Sequence, residues 1–173
     1  MAWAIDNSHS EVGFNVRHMM ISTVRGSFHK FSGAVDFNEA DPVASKVDVT
    51  IDVTSVDTRD EKRDGHLKSP DFFDAEKFPS MTFKSTKVEK TSDTTGKLHG
   101  ELTIKGVTKP VALDVEYLGQ AKSPWGTTSA GFTAKAAIDR KDFGLNWNVA
   151  LETGGILVGD KVNIAIELEV VKQ

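Results

Sequence analysis

Cysteine is absent from the 173 residues. That excludes disulfides, thiol catalysis and cysteine-based zinc or iron–sulfur sites. A basic excess is missing too. Lysine and arginine number 21 against 25 acids, for a net charge of -4, so no positive stripe stands ready to neutralise phosphates and no nucleic-acid partner is expected. No apolar run approaches the roughly 20 residues a spanning helix requires, so stable membrane insertion is not expected. The start, MAWAIDNSHSEVGFNV, has no basic segment followed by an apolar one; it predicts no secretory signal and a soluble, cytoplasmic chain. Tandem repeats, low-complexity tracts and linkers are lacking. The 39% hydrophobic and 27% charged fractions suit one globular domain over 1–173 with a sizeable core.

What is present is alternation with period two. Val12, Phe14, Val16 and His18 share one face, with Asn15 and Arg17 on the other. Val24, Gly26 and Phe28 alternate next. The phase then slips to Phe31, Gly33, Val35 and Phe37, which predicts a bulge or bend. Val47, Val49, Ile51 and Val53 face in against Asp48, Thr50 and Asp52. The pattern returns at Met81, Phe83 and Ser85, at Leu98, Leu102 and Ile104, and at Val111, Leu113, Val115 and Tyr117. Phe132, Ala134, Ala136 and Ile138 follow, then Val162, Ile164, Ile166 and Leu168. Many short one-faced strands joined by turns mean an antiparallel sandwich or barrel. Gly96 is expected in a polar turn, Gly106 between strands and Gly154-Gly155 in a loop. GQAKSPWGTTS reads as a longer loop carrying Trp125, and Pro110 as a strand start.

One region does not alternate. Thr58 precedes Glu61 by three, a capping-box spacing that predicts a helix start. Ser69 before Pro70, with Asp71 next, predicts the N-cap and first turn of a second short helix. One or two short helices are therefore expected around residues 58–75. Arg63, Asp64, His66, Ser69 and Asp71 would cap and bridge them, with Leu67, Phe72, Phe73 and Phe78 as their apolar underside.

Each strand has one apolar face, and the helices are too short to cover it. A sheet closed on itself covers that face and removes its edges. The expected fold is all-β: an antiparallel barrel of roughly eight to ten strands with a short helical insertion. Its interior is either filled by side chains or holds one ligand. Large inward residues such as Phe14, Phe28, Phe83 and Phe132 are mixed with small ones, Gly26, Gly33, Gly100, Ala134 and Ala136. Small residues leave space or let strands bend. Strands of this length make a barrel roughly 20–25 Å deep, which suits a long flexible chain better than a compact ring.

Several stretches together resemble the YceI-like family: WAIDNSHSEVGFNVRH, VRGSFHKFSG, SVDT with RDGHLKSPDFFD, FPSMTFKS, LTIKGVTKPV and RKDFG. The resemblance covers essentially the whole chain, in order. It implies an extended lipocalin-like antiparallel β-barrel that binds polyisoprenoids, isoprenoid quinones, fatty-acid derivatives or similar long-chain lipids in its pore. It also implies a carrier, storage or sequestration role, often described as stress-related, and frequent homodimers. Many relatives carry a secretory leader and work in the periplasm. Carried over position by position, the ligand face comprises Val12, Phe14, Val16, His18, Val24, Phe28, Phe83, Leu102, Val111, Leu113, Phe132 and Trp147. His18 is the polar member of that face. It contacts a lipid head group or ordered water, or else it is satisfied by neighbouring protein groups.

Catalytic readings are weaker. Asp6, His9 and Ser10 supply triad residue types, but strand neighbours point to opposite faces. His18 and His29 flank a break, and His66 sits among acids, yet none has the paired spacing of structural zinc. Asp64 with His66, or Asp71 with Asp74, is better explained by helix termini. No catalytic residue, metal or cofactor is assigned, and the protein is not expected to be an enzyme. An enzyme or stress chaperone using the same barrel is the competing class. Trp125, or Met19, Met20 and Ile21, can form an apolar contact patch for a dimer.

Overall fold

Alternation becomes eleven strands, and eight of them close into a ring. In the computed structural model, which describes residues 2–152 and 155–173, the strands are β1 (Ala2–Ile5), β2 (Glu11–His18), β3 (Ser22–Phe28), β4 (Phe31–Asp36), β5 (Lys46–Asp52), β6 (Val56–Asp57), β7 (Ser80–Lys90), β8 (Thr95–Ile104), β9 (Val107–Lys122), β10 (Thr128–Asp139) and β11 (Val158–Lys172). One helix, α1, spans Glu61–Lys68. The ring runs β1-β4-β5-β7-β8-β9-β10-β11 and closes where β11 pairs with β1, Val171 opposite Ala4. All the pairings are antiparallel.

The length of β11 explains the remaining strands. Its C-terminal part borders β1, while its N-terminal part borders β2, from Glu167 opposite Glu11 to Val158 opposite His18. A 3-10 turn, Asn7–His9, separates the two short partners. Then β3 pairs with β2, and β6 with β3. The phase slip is a bend. β3 and β4 do not pair with each other; the chain turns at His29-Lys30 and β4 takes β1 and β5 as partners instead.

This topology gives the barrel two unlike ends. At the helical end lie the β2–β3 connection, the start of β11, the end of β10, the β8–β9 turn and the insertion that carries α1. The far end holds β1, the turn at 91–94 and the turn at 123–127. The insertion reaches across the helical end: Phe73 stacks edge-on against Phe28 of β3, His66 and Phe72 meet Trp147, and Lys105 Nζ donates to the Pro70 carbonyl at 2.9 Å.

Within the insertion the caps differ from the expected ones. Asp60, not Thr58, caps α1, its carboxylate accepting from the Lys62 and Arg63 amides. Thr58 is buried instead, and its amide and hydroxyl both donate to Asp64. Arg63 closes the knot, donating to the Thr58 hydroxyl at 2.8 Å and its carbonyl at 2.6 Å. No second helix forms. Ser69 ends α1, with its amide and hydroxyl both donating to the His66 carbonyl; its hydroxyl also accepts from the Asp71 amide at 3.3 Å, the expected cap contact, but only turns follow it. Turns follow through Lys77, with Asp74 in the left-handed region at φ 50.

Other local expectations shift. Gly96 lies inside β8, and the turn precedes it. The long loop around Trp125 shrinks to 123–127, because β9 and β10 extend into it. Pro110 falls within β9, past Asp114 where pairing with β10 stops, so its missing donor is tolerated. Gly106 does connect two strands, with φ 76. Gly154 lies outside the described residues. The small inward glycines do not leave space. A Cβ on Gly26 would meet the Phe14 ring, one on Gly100 the Phe83 ring, and one on Gly33 the Asp48 carbonyl.

The core is lopsided. Met81, Phe83, Leu102, Ile104 and Leu113 pack with Ile51, Val53, Phe72 and Phe143 into one buried cluster. A second cluster of Trp3, Val35, Phe37, Ala130 and Val170 sits toward the far end. By contrast, the inward residues Val12, Phe14, Val16, Val162, Ile164 and Ile166 are only half-buried. They face inward without filling the interior.

Candidate functional site

The half-buried walls of β2, β10 and β11 face a cavity of about 670 Å³. It extends along β11 from Val158 to Leu168, which is about 33 Å of strand and, at a 40° tilt, about 25 Å of barrel axis. A round chamber of this volume would be only about 11 Å across, so the space is a channel. Small-molecule sites commonly occupy roughly 300–1,000 Å³.

The strands position the lining by simple register. Val12, Phe14, Val16 and His18 of β2 stand opposite Phe28, Gly26, Val24 and Ser22 of β3, so the four β2 residues share one face with Val24 and Phe28. Phe83 of β7 is opposite Leu102 of β8. Val111 and Leu113 of β9, Phe132 of β10 and Trp147 complete the set. All twelve residues expected to form a ligand face lie on the cavity wall.

Other wall residues had weaker signals. Val162, Ile164, Ile166 and Leu168 alternate cleanly in the sequence, so their inward face was visible but their place on a cavity was not. Arg63, His66, Leu67, Phe72 and Phe73 come from the insertion and line the cavity directly, so the insertion is part of the wall as well as a cover. Phe78 does not join them; it rests against Gly106. Among the described residues Phe37 links Trp3, Tyr117 and Phe132 in an aromatic group near the far end, and burial raises the Tyr117 hydroxyl pKa.

The ends of the channel differ in chemistry. At the far end the rim is mixed and polar, with Glu89, Lys97, Ser92, Asp93 and Thr94. At the helical end it holds Arg17, His18, Arg63, His66 and Arg140. Arg140 is 4% exposed. Its guanidinium donates to the carbonyls of Gly159 at 2.8 Å, Leu145 at 2.5 Å and Val158 at 3.3 Å. Burial lowers its pKa, opposed by the charges of Asp160 and Asp139. It therefore pins the 140–147 segment to the start of β11 and so places Trp147. The Trp147 ring meets His66 edge-on at 4.7 Å and Phe72 at 5.4 Å, and His66 Nε2 is held by Asp71 at 2.9 Å.

Of the residue types suited to catalysis or metal binding, His18 and His66 lie on the channel rim, while Asp6, His9, Ser10 and His29 lie off its wall. Asp6 and His9 do meet, because the Asn7–His9 turn breaks the alternation, with His9 Nδ1 at 2.7 Å from Asp6. The adjacent hydroxyl is that of Ser8, and it approaches the same ring nitrogen. A triad needs the serine at the nitrogen opposite the carboxylate. Ser10 instead bonds the Glu169 backbone. Asp6, His9 and Glu169 are the one trio of ligating side chains close together among the described residues, and the Asp6–His9 ion pair accounts for the contact. His18 and His29 lie at opposite ends of β3, about 20 Å of strand apart, and His29 pairs with Asp57.

The chain matches the model of the YceI-like domain over residues 3–170. It is 41% identical to Protein YceI of Escherichia coli O157:H7 over 168 residues, covering 97% of this chain and 84% of that protein. The crystal structure of Burkholderia cenocepacia BcnA superposes with a TM-score of 0.84 at 27% identity, covering 95% of this chain and 98% of that one. A domain from Saccharophagus degradans, described as polyisoprenoid-binding and implicated in plant cell wall breakdown, superposes with a TM-score of 0.71 at 16% identity over 97% of each chain. At that identity the likeness is one of fold.

Proposed function

This chain belongs to the YceI-like family, and from that premise we propose that its channel holds one long-chain apolar or amphiphilic lipid and that the protein carries, stores or sequesters it. A polyisoprenoid, an isoprenoid quinone or a fatty-acid derivative has the required shape. The observation that carries this reading is the elongated apolar channel, whose β2 and β11 walls are only half-buried while Met81, Phe83, Leu102 and Leu113 on another wall are packed. A void lined by valine, isoleucine and phenylalanine has unmet dispersion partners, and an alkyl or prenyl chain supplies them without needing hydrogen bonds.

The magnitudes are adequate. Ten buried methylenes contribute ~8 kcal/mol gross, and association costs about 4–15 kcal/mol. A longer tail or a few polar contacts to the head group make up the difference. The helical end offers such contacts in His18, His66 and Arg17. The polyisoprenoid-binding description of a relative by fold is consistent with the same use of the barrel.

The deciding experiment is organic extraction of the purified protein followed by mass spectrometry. One lipid per protein is the expected result. No bound lipid, together with no uptake of a fluorescent long-chain probe, would rule the reading out. His18→Ala tests the head group: a role in holding it predicts a changed selectivity among lipids of equal tail length, and unchanged selectivity would remove His18 from that role.

A further inference from the structure

The β2–β3 connection is built against local preference. Met19 and Met20 both occupy the left-handed region, at φ 53 and φ 63. Glycine or asparagine takes that conformation at little cost, and other residues pay of order 1–3 kcal/mol. The tip is nonetheless held in place. The Met19 amide donates to the Leu157 carbonyl at 2.7 Å, and Arg17 donates to the Met20 carbonyl at 3.4 Å. The effect is to present apolar side chains to the outside, with Met20 59% and Ile21 78% exposed. The neighbouring bridge between Ala150 and Ile156 adds exposed Val149 and Ile156. Isolated apolar residues are ordinary on surfaces, but a contiguous patch is not.

Two further observations say what covers it. The patch adjoins the channel: His18, Arg17 and Leu157 line the cavity and are next to, or bonded to, the tip residues. It is also bordered by two arginines, against one exposed acid, Glu152, in a chain whose net charge is -4. Arg17 and Arg25 are exposed and make no ion pair among the described residues. The nearby Asp160 is engaged by Arg140 and Lys141. The far rim of the channel is polar and mixed in sign. Trp125, though 86% exposed, stands on a separate turn at that far end.

We propose that the β2–β3 tip, with Val149 and Ile156, docks the barrel on an anionic lipid surface, so that the ligand passes between bilayer and channel at the helical end. Methionine and isoleucine enter the acyl boundary while Arg17 and Arg25 meet the lipid phosphates, the division of labour of interfacial anchors. This rests on the lipid-carrier reading, because the docking surface has its use only if the channel holds a lipid.

The test is co-sedimentation of the purified protein with vesicles of phosphatidylcholine, with and without phosphatidylglycerol. The protein is expected to prefer the anionic vesicles and to be released by salt. Met20→Asp combined with Ile21→Asp should lower its partition at least about tenfold. Arg25→Glu should weaken binding to anionic vesicles and leave binding to neutral ones unchanged. These side chains are exposed and off the cavity wall, so matched thermal unfolding and unchanged lipid extraction are expected in every variant. Equal binding by the wild type and the double variant would overturn the proposal. So would a wild-type dimer that the double variant dissociates while neither binds vesicles, which would assign the patch to a second copy. Lipid in the channel without vesicle binding overturns docking alone. Vesicle binding without lipid uptake overturns the carrier reading and, with it, the transfer step.

Discussion

Arg140 shows how much one buried side chain holds at the helical end. It joins three carbonyls and faces Asp160 at 3.9 Å. Arg140→Ala leaves three carbonyls without their charged donor, while Asp160 keeps Lys141, an expected loss of about 3–5 kcal/mol from the unmade hydrogen bonds and the lost packing, read from the urea midpoint. Arg140→Lys restores charge but not the planar fork, and should recover little of it. The Asp6–His9 pair makes a pH prediction. The Ser8 hydroxyl, then His9, hold the Asp6 carboxyl down at about 2 from 3.8, while Asp6 raises His9 above 6.5. A lowered carboxylate contributes stability above its unfolded pKa and loses it as pH falls through the folded one. A raised histidine contributes below its unfolded pKa and loses it as pH rises through the folded one. Both contributions are therefore complete between about pH 4 and 6.5. The Tm difference between wild type and His9→Gln should be largest near pH 5 and shrink as the pH rises above 6.5 through the raised His9 pKa. A gap independent of pH would show that the pair's charge is irrelevant.

At the scale of elements, two glycines let aromatic rings lie against the wall. A side chain at Gly26 meets the Phe14 ring, which can swing aside, and the methyl of Thr58, which its bonds to Asp64 and Arg63 hold; one at Gly100 meets the Phe83 ring and the Lys84 carbonyl, which is backbone. Gly26→Ala is therefore expected to cost about 1–2 kcal/mol and to push Phe14 into the channel, lowering bound lipid. Gly100→Ala should cost more, ~2–3 kcal/mol. Thermal unfolding and lipid mass per protein check both. For α1, Asp60→Ala should cost ~1 kcal/mol, the usual worth of an N-cap, while Glu61→Ala at the expected capping-box position should change stability little. The sequence supplied the right residue types near residue 60 but not which acid caps, because Thr58 is drawn into a tertiary knot with Arg63 and Asp64.

For the whole molecule, the packed cluster forms one wall of the channel. Met81, Leu102 and Ile104 are buried and line the channel from the packed side, while Ala134 is a half-buried wall residue of β10. Ala134→Phe places a ring where the ligand's chain would lie. Bound lipid is expected to fall well below one per protein while the urea midpoint holds or rises, because the ring gains contacts that the void lacked. A large loss of stability would show that the wall cannot accept the ring, and full lipid occupancy would show that the chain does not pass Ala134.

The sequence by itself determined the strands, their inward faces and the closed barrel, because period two leaves each strand with one apolar face that only a curved sheet can cover. Family-specific stretches extended that to the twelve wall residues, all of which line the cavity. Only the tertiary structure decided whether the interior was filled. That depends on how side chains from strands far apart in sequence meet: Phe14 lies over Gly26 and Phe83 over Gly100, so the glycines that suggested space are covered. The open channel runs instead beside the ordinary valines and isoleucines of β2 and β11. Alternation records which way a side chain points, but not whether anything stands opposite it.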